Sequence, residues 1–185
     1  MNEVKNIAMN LFYLSRFCVF VYAFLTIYSA ISLLTGWSLK FEGDYFNIMF
    51  PFTKQTILIG EYNLTYILLD YLLVFVLYGI FFWLLGNVLK VFTRPKLFTQ
   101  KNIDQLKYFY ISNLFVPSIA TLIAYTFGTI DRDVILLIIL HFIIGIFSYF
   151  LAQIFKQGVN LQNEQDLVHI SPIIIMVACF FDQHS

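Results

Sequence analysis

The sequence predicts an all-α fold, a four-helix transmembrane bundle, on three observations. Four apolar stretches, Phe17–Leu34, Tyr66–Leu89, Tyr108–Ile130 and Val134–Phe155, are each about 18 residues or more, enough to cross a hydrocarbon core roughly 30 Å thick at about 1.5 Å per residue. The 185 residues are 60% hydrophobic and 12% charged, about half the charge of an ordinary soluble domain. Basic residues also fall on alternate sides of the apolar stretches. Lipid satisfies no backbone polar group, so each span must satisfy its own, and these runs are too long and too continuously apolar for barrel strands. Nothing outside the spans is long enough to build a second core, so residues 1–168 read as one membrane domain.

Residues 1–14 carry mixed polarity, with Ile7, Leu11 and Leu14 at helical spacing. This predicts a short helix on the inner interface that runs into the first span. Arg16 is expected to extend its head toward the lipid phosphates. The first apolar run exceeds the 7–15 residues of a signal-peptide core and is retained as a span. Cys18 and Cys179 suggest neither a disulfide framework nor a metal site.

Residues 35–65 form the one sizeable loop. Leu39-Lys40-Phe41-Glu42 alternates apolar and polar, Thr56-Ile57-Leu58-Ile59 is rich in β-branched residues, and Gly43-Asp44 and Pro51 punctuate the segment. The expectation is two or three short strands, including a hairpin, over the outer mouth of the bundle. Phe41, Tyr45, Phe46, Phe50, Phe52 and Tyr62 read first as interfacial aromatics and second as a ligand-binding lid. Asn63-Leu64-Thr65 matches a glycosylation acceptor, a triplet common by chance and here close to the membrane.

Between the second and third spans, Pro95 excludes a continuous helix and Thr99 is the expected N-cap of the next one. Ile103, Leu106 and Tyr110 share a face, predicting an amphipathic lead-in on the inner leaflet. Pro117 predicts a kink in span three. The short turn Asp131-Arg132-Asp133 makes spans three and four antiparallel neighbours. Beyond Phe155 the helix is expected to project from the membrane, loosened at Gly158. Residues 169–185 form an apolar tail too short to span and interrupted by Pro172, which leaves surface attachment, packing on the bundle and disorder all open.

Lys5, Arg16, Lys90, Arg94, Lys96, Lys101, Lys107 and Lys156 lie on one side of the spans, against Lys40, Lys54 and Arg132 on the other. The positive-inside rule places both termini and the middle loop in the cytoplasm, in a cell membrane crossed four times. Net charge is zero and conceals this asymmetry.

Few residues carry chemistry. Asp70 and His141 are the ionisable side chains inside the spans, at depths of roughly 6 and 10 Å from the outer ends. They form a candidate intramembrane polar site, proton-sensitive or cation-binding; the plainer reading gives Asp70 interfacial water and His141 a neighbouring helix. Asn87, Ser112 and Asn113 read as packing groups. The basic inner loop reads as a topological determinant, an attractor of anionic lipid, or a dock for a protein partner. Lys101, Lys107, Glu164 and Asp166 are the candidate contacts of that partner, and the two charged segments could instead pair with each other. No phosphate loop, H-E-x-x-H, G-x-S-x-G or paired cysteine set occurs, so the sequence suggests neither enzyme nor cofactor, and direct nucleic-acid binding is not expected.

Two segments carry a resemblance. Leu97-Phe98-Thr99-Gln100-Lys101-Asn102-Ile103-Asp104-Gln105-Leu106-Lys107 resembles a "pFT-x-x-N-x-x-x-L-[KR]" stretch in the central loop of the domain of unknown function 2975 (DUF2975), a bacterial four-span family. Gly158 to Leu167 resembles that family's terminal "G-x-x-L-Q-x-E-N-D-L" signature, with Gln165 where Asn is usual and with residues 169–185 extending past it. The order of motifs and the span count agree from about Leu11 to Val168. The family has no established enzymatic activity, and its genes often lie beside a small helix-turn-helix regulator. The resemblance therefore implies a regulatory or sensory membrane component with a cytosolic DNA-binding partner. The competing expectation is a small transporter or channel subunit, homo-oligomeric in one version, built around Asp70 and His141.

Overall fold

The structure, a computed structural model, describes the backbone of residues 2–53, 55–127 and 132–182 and the side chains of residues 3–53, 55–69, 71–126 and 134–165. It is a bundle of four helices, α1 (Asn2–Thr35), α2 (Leu73–Val91), α3 (Gln100–Phe127) and α4 (Arg132–Asp182), with a three-stranded sheet between the first two. Each helix contributes a segment long and apolar enough to cross a membrane: Glu3–Thr35, Tyr66–Val91, Gln100–Thr126 and Val134–Gln165. Large apolar side chains such as Phe20, Trp83, Leu122 and Phe147 point outward over the whole length of the bundle. In water such a surface would be prohibitive; in lipid it is the solvated face. The chain is a multi-pass helical membrane protein.

α1 packs along α2 and α3 along α4, with α2 against α3 closing the set. On α1, Ala8, Ser15 and Ser29 are buried and Tyr22 is half-buried, a seam of seven-residue spacing that lets a neighbouring backbone approach. Within it Tyr22 lies flat on Tyr78 and Phe82, with ring centroids 5.6 Å away in both cases, and a Cβ added at Gly79 would fall 3.8 Å from the Tyr22 Cβ. The seam begins at Ala8, so the first residues form one helix with the first span. They run into that span without a break, as expected, and Ile7, Leu11 and Leu14 face outward.

The second span starts on Asn63, whose Oδ1 accepts the Thr65 N–H at 3.0 Å while its carbonyl accepts from Ile67 at 2.8 Å. Asn63 is thus a helix cap. A π-helical stretch, Tyr66–Leu72, precedes α2.

The expected two or three strands are three, the third lying between the two segments picked out by alternation and β-branching. β1 (Leu39–Glu42), β2 (Tyr45–Met49) and β3 (Thr56–Glu61) form an antiparallel meander in the order β1-β2-β3. Gly43 takes φ +63° in the two-residue turn, the left-handed backbone such hairpins need. Lys40 and Glu42 pair across 2.7 Å beside it; that hydrogen bond and the Lys40 charge hold the Glu42 carboxyl below the usual carboxylate range. β2 docks the sheet on the helix ends. Phe46 and Ile48 are fully buried against Tyr28, Ile67 and Tyr71, and the Tyr28 hydroxyl donates to the Met49 carbonyl at 2.6 Å. The loop aromatics therefore divide: Phe46 is core, while Phe41, Tyr45, Phe50, Phe52 and Tyr62 are exposed.

Gly60 is paired with Phe46, and a Cβ there would fall 2.5 Å from the ring's Cζ. Gly60→Ala is expected to weaken sheet docking by about 1–3 kcal/mol, read as faster proteolysis within residues 50–62. Phe46→Leu in the same chain should restore much of the protection, since it removes the obstructing ring.

At the other end of the bundle, α2 stops at Val91 ahead of Pro95, and the Thr99 Oγ1 accepts the Asn102 N–H at 3.3 Å, the expected cap of α3. The apolar face of the α3 lead-in does not lie on the leaflet. Ile103, Leu106 and Phe109 are buried with Val88, Val91, Ala152 and Phe155 in the larger core of the molecule. Amphipathicity showed that a face was covered, but helices α2 and α4 cover it. α3 runs unbroken through Pro117. Of the expected turn Asp131-Arg132-Asp133, the last two residues begin α4, while Asp131 lies outside the described residues; α3 and α4 are packed neighbours as expected.

α4 continues as helix through Gly158 and on to Asp182, 51 residues in all. The apolar segment 169–182 thus prolongs an existing helix. A stretch too short to span alone can still extend a nucleated helix, where each residue costs only propagation.

Candidate functional site

The bundle end opposite the sheet gathers most of the basic residues, and its geometry is set by two locks. The first is Asn102, fully buried on the first turn of α3. Its Oδ1 accepts from Arg94 Nη1 at 2.5 Å, and its Nδ2 donates to the carbonyls of Lys96 and Leu97 at 3.1 and 2.7 Å. One amide thereby holds a cation and two backbone acceptors of the α2–α3 loop. The second lock joins the loop to α4. Phe98 packs on Phe155 with centroids 5.4 Å apart, and its ring lies against Gly158, where a Cβ would overlap it. The glycine is a notch for that ring, so the helix is not loosened there. Beyond the notch, Asn160 to Gln165 are exposed, and the helix projects from the bundle end.

α1 joins the same end. Arg16, half-buried, donates to Asn87 Oδ1 at 2.5 Å and lies 5.1 Å over the Phe12 ring, with Lys90 Nζ 5.6 Å from that ring. Its head therefore turns inward to α2 and not outward to the phosphates, because Gly86 leaves room beside it. Between α2 and α3, sharing Asn87, Lys90 and Arg94 with this packing, opens a cleft of about 600 Å³ walled also by Trp83, Gln105 and Tyr108.

The residues singled out from the sequence fall in three places. His141 is nearly buried mid-bundle, its ring edge-on to Phe81 and Tyr78 at 5.3 and 6.2 Å. Its Nδ1 lies 2.9 Å from the Leu137 carbonyl, which can only accept, so Nδ1 carries the proton in this bond. Asp70 is in the π-helical stretch, eight positions before Tyr78 and so roughly 10–12 Å along the axis from it. The Asp70 side chain lies outside the described residues, and the two groups stay a candidate pair. Lys101 and Lys107 are exposed on α3 and Glu164 is exposed on α4, while the Asp166 side chain lies outside the described residues. Among the described residues Lys40–Glu42 is the one ion pair, so the basic loop and Glu164 are not paired with each other.

Sequence reasoning missed the cleft and both locks. Asn102 and the Phe98–Gly158 pair lie within the two segments that carry the family resemblance, 60 positions apart for the latter. Their contact could not be read from either segment alone.

No protein-family profile, curated protein or solved structure matches this chain.

Proposed function

We propose that this chain is a non-enzymatic regulatory or sensory component of a cell membrane that engages a cytosolic protein at the basic end of its bundle. The observation that carries this reading is the Phe98–Gly158 lock, which fastens the α2–α3 loop to an α4 helix continuing past the membrane end with exposed polar residues. A shift of α4 within the bundle would then move loop and projecting helix together. The eight basic residues at this end support a cytoplasmic side for it under the positive-inside rule. A small helix-turn-helix regulator is the partner class, an inference resting on the DUF2975-like segments Leu97–Lys107 and Gly158–Leu167. Lys101, Lys107, Glu164 and Asp166 are its proposed contacts.

Purification in mild detergent tests this. A DNA-binding regulator encoded beside the gene should co-purify with the intact protein and be lost when those four residues are neutralised together. Failure to co-purify with the intact protein would contradict the proposal.

One observation favours a second reading, transport through the bundle: His141 is nearly buried, and its Nε2 is the ring nitrogen left to accept or bind. Ion or substrate flux in liposomes that vanishes with Asp70→Asn would establish that reading in place of the first.

A further inference from the structure

We infer that the cleft between α2 and α3 binds the phosphoryl headgroup of an anionic phospholipid, with an acyl chain lying along its apolar end. The lining is graded along the helix axis. Trp83 and Leu84 stand at one end, Lys90 is seven positions further toward the loop, about 10 Å away at helical rise, and Arg94 lies in the turn just past the end of α2. Lys90 is the second-last residue of the apolar span Tyr66–Val91, so its ammonium is at headgroup depth, while Trp83 is at the level of the upper acyl chain. Gln105 supplies an amide between them and Asn87 its Nδ2 donor, the Asn87 Oδ1 being taken by Arg16, and Tyr108 adds an amphipathic ring on the α3 side.

The cations are held in place but not neutralised. Asn102 fixes Arg94 through one Nη, leaving other guanidinium donors of the fork, which suits a phosphate. Lys90 is placed over the Phe12 ring. Among the described residues neither makes an ion pair, and Asp104, the acidic residue next to Gln105 on α3, is engaged by Gln100 Nε2 at 3.1 Å. Two oriented cations without a carboxylate, beside aromatic walls in a cleft of about 600 Å³, match a ligand with a charged head and an apolar body. Free phosphate shares the head chemistry but leaves the Trp83 end of the cleft unused.

Trp83 and Trp37 are the two tryptophans, so Trp37→Phe leaves one reporter in the cleft. The full chain carrying that change is placed in nanodiscs of phosphatidylcholine doped with phosphatidylglycerol, the bromine label being on the acyl chains of one lipid or the other. Brominated phosphatidylglycerol should quench Trp83 in preference to brominated phosphatidylcholine. Lys90→Gln should lower the apparent affinity about fivefold, Lys90→Arg should retain it, and Lys90→Gln with Arg94→Gln should abolish the preference. Lys90→Gln is the decisive variant if loss of Arg94 disturbs the loop. Equal quenching by the two lipids would overturn the inference, as would a preference indifferent to Lys90→Gln. A saturable change in Trp83 emission with inorganic phosphate in micelles free of anionic lipid, together with loss of the lipid preference when phosphate is added, would assign the site to a soluble anion and overturn the lipid assignment. None of these readouts involves a protein partner.

Discussion

Asn102→Ala is expected to lower the thermal midpoint of the detergent-solubilised protein by roughly 6–12 °C, at about 3 kcal/mol lost and a few degrees per kcal/mol. The size follows from what the amide holds. Asn102 is fully buried, and its removal leaves the carbonyls of Lys96 and Leu97 and a donor of Arg94 without their partner. Each buried group so orphaned costs about 1–3 kcal/mol, reduced where water can enter. Substitutions separate the contributions. Asn102→Asp keeps an acceptor for Arg94 and adds charge attraction but loses both donors to the loop, so it should be intermediate. Asn102→Gln carries the same groups one methylene too far and should not rescue. A midpoint unchanged by Asn102→Ala would mean that Pro95 and the Thr99 cap organise the loop without it.

Gly158→Ala discriminates between two physical effects of opposite sign. On helix propensity alone, alanine should stabilise α4 by up to about 1 kcal/mol. The structure predicts the reverse, because the new methyl would occupy the Phe98 ring position and that ring is already braced by Phe155. Overpacking of this kind costs about 1–3 kcal/mol, so a net loss is expected by chemical or thermal unfolding. Phe98→Leu combined with Gly158→Ala should recover stability beyond the sum of the single changes, with a coupling of about 1 kcal/mol or more. Stabilisation by Gly158→Ala alone would show that the ring does not sit in the notch.

The spans were legible because lipid imposes a crude, length-based code: four apolar runs, and helices as the way to satisfy their backbones. β1 and β3 were legible from alternation and β-branching. β2 was not, since Tyr45-Phe46-Asn47-Ile48 reads equally as interfacial loop, and only the pairing of Phe46 with Gly60 shows which side is covered. The face Ile103–Leu106 was visible as apolar, but periodicity does not say whether lipid or a helix covers it. Arg16 shows the same limit: an arginine near a span end suits lipid phosphate, yet Gly86 and Asn87, some 70 positions later, draw it inward. Long-range partners of this kind are a property of the assembled bundle and leave no local signal. The cleft is a further case, since its cations lie in a segment whose charge is already accounted for by topology.

Four traverses put residues 1–14, the α2–α3 loop and the α4 extension on one face of the membrane and the sheet on the other. Single cysteines at Lys5, Lys101, Gln162 and Tyr62, each in a Cys18→Ala, Cys179→Ala background, can be probed with a membrane-impermeant maleimide in oriented vesicles. The first three should label together, from the side that leaves Tyr62→Cys unlabelled. Labelling of Lys101→Cys and Gln162→Cys from opposite sides would contradict this arrangement.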